Sequence, residues 1–240
     1  MPTTTLTLEP GTSAVRQTSH AGHTRHNRSV LADLEKRTLV WIAHRLPARV
    51  NSDHLSALGL VAMLGVGAAF AASASYTWAL PLVVVALGLN WFGDSLDGTL
   101  ARVRNQQRPR YGYYVDHAID VLGTAFLFGG LAIGGLMTPV VAMGLLAAYF
   151  GVMAEVFLAT NVRGVFKMSF LGFGPTELRV VLAIGALALM RDPRIVIAGF
   201  GPFQLFDVGG AVAIVGLVLT FLVSSAANAR ALYAAEPIER

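Results

Sequence analysis

Apolar residues gather along the chain in long runs separated by short polar stretches. A helix needs about 20 residues to cross the hydrocarbon of a bilayer, and the runs predict transmembrane helices over 55–74, 79–101, 113–135, 140–160, 176–190 and 205–225. The expected fold is therefore all-α and polytopic, with six transmembrane helices and both termini on one side. Ahead of them, over 29–46, the pattern changes. Leu31, Leu34, Leu39, Trp41, Ile42 and Leu46 fall on one arc at helical spacing, with Asp33, Lys36, Arg37 and His44 off it and Glu35 and Arg45 interrupting it. This predicts an interfacial amphipathic helix, with Lys36 and Arg37 among anionic headgroups and Trp41 at the boundary. Residues 47–54 break that helix.

Residues 1–28, rich in Thr, Ser, His and Arg, lack the apolar core of a signal peptide and read as a disordered cytoplasmic tail. His20, His23 and His26 recur every third residue there, but a flexible tail supplies no fixed geometry for a metal. The domain plan is thus a tail over 1–28, a membrane domain over 29–228 and a C-terminal cytoplasmic tail over 229–240.

Composition agrees. The 240 residues are 55% hydrophobic and 13% charged, against roughly 25% charged in soluble domains. That excludes an ordinary soluble domain, and the absence of cysteine excludes disulfides, thiolate nucleophiles and iron–sulfur clusters. A net charge of +4 does not indicate nucleic acid here, because the basic residues are scattered between apolar runs; anionic membrane lipids are the expected counter-charge. On the six-span plan, 16 of the 18 basic residues fall on the side of the termini, and only Arg191 and Arg194 fall on the other. By the positive-inside tendency, the side of the termini is cytoplasmic.

Few residues are acidic, and their placement is informative. Asp94 and Asp97 end the second predicted span; Asp116 and Asp120 begin the third. An ionised carboxylate inside a span costs at least ~2.5 kcal/mol, so these four must face something other than lipid. The spacings i, i+3 and i, i+4 put each pair on one helical face, and antiparallel packing of the two spans is expected to bring the pairs together. Four converging carboxylates repel one another unless cations lie between them. Oxygen donors select hard ions such as Mg²⁺, Mn²⁺ or Ca²⁺, and two such ions form a clamp for a phosphoryl group. Gly98 and Gly112 leave the two faces without bulk, Ala101 continues the small-residue seam, and Arg102 offers a fixed cation for phosphate oxygens. Simple ion pairing with Arg102, Arg104, Arg108 and Arg110 would not require two carboxylate pairs at helical spacing. Gly130 and Gly134 read as a helix-packing seam.

The stretch Asp94-x₂-Asp97-Gly98-x₂-Ala101-Arg102-x₉-Gly112-x₃-Asp116-x₃-Asp120 resembles the signature of the CDP-alcohol phosphatidyltransferases, integral membrane enzymes of phospholipid synthesis. The resemblance implies transfer from a CDP-alcohol to an acceptor alcohol with release of CMP. It implies two divalent ions, Mg²⁺ or Mn²⁺, held by Asp94, Asp97 and Asp116 with Asp120 contributing, and Asp120 as the base toward the attacking hydroxyl. Gly98 and Arg102 would contact the CDP moiety, with Ala101 and Gly112 completing that face. A homodimer in a bacterial or archaeal plasma membrane, its site facing the cytoplasm, is also implied.

Where the family often carries Thr-Pro-Asn-x-Leu/Ile-Thr before the first span, this chain has Asn51, Ser52, Asp53, His54, Leu55 and Ser56, and Asp53 would bring negative charge toward the nucleotide phosphates. His117 points about 100° from Asp116 and reads as an edge residue. On the acceptor side, Arg163, Lys167, Glu177 and Arg179 cluster around the start of the fifth predicted span, where a helix N-terminus and positive charge suit a phosphorylated or zwitterionic acceptor. An ordinary helix start with positive-inside charge accounts for the same residues. Glu155, inside the fourth span, is a stronger functional candidate than Asp207. The default donor is CDP-diacylglycerol, with inositol phosphate, glycerol phosphate or serine as acceptor; a soluble CDP-alcohol attacked by a diglyceride uses the same motif. A cation-coupled transporter and a non-catalytic scaffold are the alternatives of other classes.

Overall fold

The computed structural model describes residues 30–163, 175–191, 194–197 and 199–236. They form α1 (Val30–Arg45), α2 (Ser52–Ala72), α3 (Leu80–Val103), α4 (Pro109–Ile133), α5 (Pro139–Arg163), α6 (Pro175–Ala188) and α7 (Leu205–Ala235), with a small hairpin of β1 (Arg194–Ile197) and β2 (Phe200–Gln204) before α7. The tail over 1–28, its three histidines and Lys167 lie outside the described residues.

Helix starts follow local chemistry. Proline stands in the first turn of α3, α4, α5 and α6, where its missing N–H costs no helical bond. Asn51 caps α2: His54 N donates to Asn51 Oδ1 at 2.9 Å, and Asn51 N donates back to His54 Nδ1 at 3.3 Å. At the end of α3, Asn105 adopts φ 54°, and its neighbour Gln106 N closes on Ala101 O at 2.9 Å, which turns the chain toward α4.

The protein is an all-α, polytopic membrane protein. Among the described residues, five helices are long and apolar enough to cross a bilayer: α2, α3 with its preceding 3₁₀ turn, α4, α5 and α7. The fifth predicted span is realised as α6, whose 14 described residues rise only about 21 Å, short of the roughly 30 Å hydrocarbon. α7 differs in the other direction, continuing to Ala235 through residues expected to be a tail. The connection carrying Arg194 pairs as an antiparallel hairpin, Arg194 opposite Gln204 and Ile195 opposite Phe203.

α2 is the centre of the bundle, with α3 on one side and α4 on the other; α4 continues to α5, α5 to α7, and α6 packs on α3. The expected packing of α3 on α4 is not the main contact of either helix: both pack chiefly on α2. Both helices use α2 as their partner because α2 offers glycines to each. A Cβ on Gly93 of α3 would stand 2.6 Å from Leu55 O, and one on Gly130 of α4 would stand 2.2 Å from Gly67 O. Gly134 meets Phe70 O as closely, so Gly130 and Gly134 are the packing seam that the sequence predicts. The main apolar core, containing Val66, Phe70, Val83, Leu131, Ala186 and Phe206, lies toward the end of the bundle away from the acids, with Phe70 and Phe206 edge to face at 5.7 Å.

A second core joins α1 to the acid end: Leu39 and Ala43 pack against Leu55, Leu96 and Leu100. Glu35, which interrupts the apolar arc of α1, accepts from Trp91 Nε1 at 2.8 Å. Trp41 is exposed, with the Arg45 guanidinium 3.7 Å above its ring. Arg104 donates to the carbonyls of Leu46, Pro47 and Val50, satisfying the turn that follows α1.

Candidate active site

The α3 pair is held from two sides. Asp97 is buried; Ser56 Oγ of α2 donates to its Oδ2 at 2.6 Å, and the Gly98 amide donates to its Oδ1. Ser52 Oγ donates to the Asp97 carbonyl at 2.8 Å, fixing the backbone of the same residue. Asp94, one turn earlier and more exposed, is paired with Arg179 of α6 at 2.6 Å. Asn90, one further turn back, accepts from Arg179 Nε at 2.7 Å and donates to the Gly59 carbonyl at 3.0 Å.

The α4 pair lies close to this arrangement. Asp120 lies within electrostatic reach of Asp94, Asp116 and Asp97, and of Arg179; Asp97 is within reach of Asp116 and Asp94. All four aspartates therefore share one field. Behind Asp120, Thr124 Oγ1 donates to the Asp120 carbonyl at 2.7 Å, and Tyr149 of α5 bonds to Thr124.

The helix contacts follow from where the glycines lie. α3 approaches α2 most closely at Gly93, beside Asp94, whereas the tightest approaches between α2 and α4 run from Phe126, whose carbonyl would stand 2.3 Å from a Cβ on Gly67, to Gly130 and Gly134. They begin six residues beyond Asp120, about 9 Å along the helix.

Around the acids, Arg102 folds back over Gly98, so that a Cβ there would lie 3.4 Å from Arg102 Nη1; Arg102 Nη2 also donates to Thr99 Oγ1 at 3.0 Å. A Cβ on Gly112 would meet nothing within 4 Å. Ala101 is half-buried on the same helix. Asp53 is paired with Arg108, and that hydrogen bond pushes the Arg108 guanidinium above its ordinary pKa. The negative charge that Asp53 would bring toward a nucleotide is therefore matched by a cation. Arg104 and Arg108 thus make their bonds to the turn after α1 and to Asp53.

The candidate acceptor residues separate. Arg179 lies among the acids, and Glu177 stands in the first turn of α6. Arg163 instead donates to Asn228 Oδ1 on α7, and Asn228 Nδ2 donates to Glu155, a buried carboxylate. Glu155 thus ties α5 to α7. Asp207 does the same at the other end of these helices, accepting from Thr138 N at 2.7 Å. His117 Nδ1 is 2.6 Å from Tyr113 O, and its ring packs on Tyr113 and Phe157. Ser56, Asn90 and Tyr149 are site neighbours that the motif does not include. An asparagine exactly one helical turn before a functional aspartate, inside an apolar run, is the signal that marks Asn90.

The donor set is all oxygen, the chemistry a hard divalent ion takes. Among the described residues, however, no three acidic or histidine side chains stand close enough to share an ion. Asp94 is engaged by Arg179, and Asp97 by Ser56 and Gly98. In donor chemistry the residues fit divalent ions.

No curated protein matches the chain. The family model for CDP-alcohol phosphatidyltransferase matches residues 51–222, from the start of α2 into α7 and including both aspartate pairs, and the chain belongs to that family.

Proposed function

We propose that the cleft between α3 and α4 transfers a substituted phosphoryl group from a CDP-alcohol to the hydroxyl of an acceptor alcohol, releasing CMP, with divalent cations held by Asp94, Asp97, Asp116 and Asp120. The observation that carries this reading is the common field of four aspartates on α3 and α4, two helices that both pack on α2. Mg²⁺ or Mn²⁺, when bound, would neutralise the pyrophosphate oxygens and lower the cost of the charge that builds up there.

The chain's own residues supply the rest. Gly112 leaves backbone open where the CDP moiety approaches, and Arg102, lying over Gly98, offers its guanidinium to phosphate oxygens. Asp120 takes the proton of the acceptor hydroxyl. The acceptor oxygen then bonds to the phosphorus that carries the donor alcohol, and the bond from that phosphorus to the bridging pyrophosphate oxygen breaks, with CMP leaving. Family membership favours this over ion transport. His117, engaged with Tyr113 and Phe157, gives no support to a diglyceride acceptor, and CDP-diacylglycerol is the donor we favour, with inositol phosphate, glycerol phosphate or serine as acceptor.

The basic side of the bundle faces the cytoplasm in this reading, α1 rests on anionic headgroups, and the enzyme is a homodimer. The test is CMP release by purified protein with Mg²⁺ or Mn²⁺ over a matrix of donors and acceptors. Release that needs one donor, one acceptor and a divalent ion supports the proposal; none across the matrix overturns it.

A further inference from the structure

The acid cleft already contains a cation of its own. Arg179 is held at two points of its guanidinium, Nε on Asn90 Oδ1 and Nη2 on Asp94 Oδ2. The seat is rigid: Asn90 is 5% exposed, and its amide is fixed on the Gly59 carbonyl of α2. Asn90 and Asp94 are four residues apart on α3, which aligns seat and carboxylate on the face toward α6. The same guanidinium is an electrostatic neighbour of Asp120 and Tyr149. Its side chain is only 15% exposed, so water screens the pair poorly from the arginine side.

A guanidinium does not deprotonate in proteins, so this charge can leave Asp94 only by moving. A divalent ion on Asp94 would stand within a few ångströms of it. The repulsion at that separation, in a partly buried site, is large compared with thermal energy. We propose that Arg179 is the resident counter-ion of the acid cleft and competes with divalent cations for Asp94. Ion binding displaces the guanidinium from the carboxylate, and Asn90 keeps it tethered at the edge of the cleft. The inference rests on the reading of the cleft as a divalent-ion site. Arg179 is a positioning residue in this scheme, setting how tightly the aspartates take an ion.

The experiment is a Mn²⁺ titration of the full chain in detergent, with free Mn²⁺ followed by electron paramagnetic resonance and thermal unfolding recorded in parallel. Arg179→Gln is expected to bind Mn²⁺ about tenfold more tightly than wild type, the equivalent of ~1.4 kcal/mol, and Arg179→Lys to stay within about twofold of it. Without Mn²⁺, Arg179→Gln should unfold at a lower temperature than wild type, and saturating Mn²⁺ should close that gap. Asn90→Ser, which removes the seat but keeps the arginine, should tighten binding by a smaller factor and serves if Arg179→Gln fails to fold. Unchanged or weaker Mn²⁺ binding in Arg179→Gln, or in Asn90→Ser where that variant alone folds, overturns the competition. If wild type binds and Asp94→Asn binds as tightly, Asp94 is not a ligand, and that result overturns the competition alone. If wild type itself takes up no Mn²⁺, the divalent-ion reading of the cleft falls with it.

Discussion

The two aspartate pairs belong to neighbouring helices of similar length, yet they are held in different ways. On α3, Asp97 is gripped by α2 through Ser56 and by its own helix through the Gly98 amide, while Asp94 is gripped by α6 through Arg179. On α4, the helix lies against α2 from Phe126 to Gly134 and is backed at Asp120 by Thr124 and Tyr149. The α3 pair is tied to α2 and α6 through its own side chains, whereas the α4 wall meets α2 by close backbone approaches that begin six residues beyond Asp120.

The largest expected effect is on the α4 wall. Asp120→Asn keeps shape but cannot take a proton, and CMP release should fall by about 10²–10⁴-fold, while CDP affinity, measured by equilibrium binding, stays near that of wild type. Turnover close to wild type would show that another group serves as base. Next come the two seams. Gly93→Ala and Gly130→Ala each place a Cβ against backbone that cannot yield, 2.6 Å from Leu55 O and 2.2 Å from Gly67 O. Each should lower stability by about 1–3 kcal/mol, read as thermal unfolding in detergent. They should differ in function. Gly93 adjoins Asp94, so Gly93→Ala should also weaken Mn²⁺ binding, whereas the folded fraction of Gly130→Ala should bind Mn²⁺ normally. Equal binding defects would remove the distinction between a wall tied at its aspartates and one that meets α2 beyond them.

On the α3 wall, Ser56→Ala takes away the hydroxyl donor to a buried carboxylate, a bond of the charged class worth about 1.5–3 kcal/mol. Ser52→Ala removes a bond to the Asp97 main-chain carbonyl and should cost less, about 0.5–1.5 kcal/mol. The measurement is the difference between the two unfolding free energies; a reversed order would mean that the backbone, not the carboxylate, is what α2 holds.

Much of this was legible before any coordinates. Helical spacing put Asp94 with Asp97 and Asp116 with Asp120, and the apolar runs located four of the five long helices, and the start of the fifth, within a few residues. What pattern could not provide was which helix lies between which. Consecutive spans usually pack together, but Gly59 and Gly67 of α2 accept the backbones of α3 and α4 on separate sides, and that preference appears only when both seams are seen at once. Arg179 was legible as a cation near an anion site; that its partner is Asp94, 85 residues earlier, depends on α6 packing on α3. Glu35 broke the amphipathic arc for a reason that lay on another helix, at Trp91. The end of α7 was misplaced because its last turns are made of Ala, Asn and Arg, which hydropathy counts as a tail and helix propensity does not.

The smallest effect on stability is the sharpest on meaning. Gly112 begins the α4 wall one turn before Asp116, and a Cβ there would meet nothing within 4 Å. On helix propensity alone, Gly112→Ala should leave stability unchanged or raise it by up to about 1 kcal/mol. If the missing side chain serves only the fold, the variant should also be as active as wild type. If it keeps backbone open to the CDP moiety, the variant should fold as well or better and yet bind CDP several-fold more weakly, with Mn²⁺ affinity unchanged. That combination separates a glycine kept for a ligand from the glycines of the α2 seams, where any loss of binding must be accompanied by a loss of stability. Unaltered CDP affinity in a well-folded Gly112→Ala protein would remove Gly112 from the nucleotide face and leave Gly98, under Arg102, as its glycine.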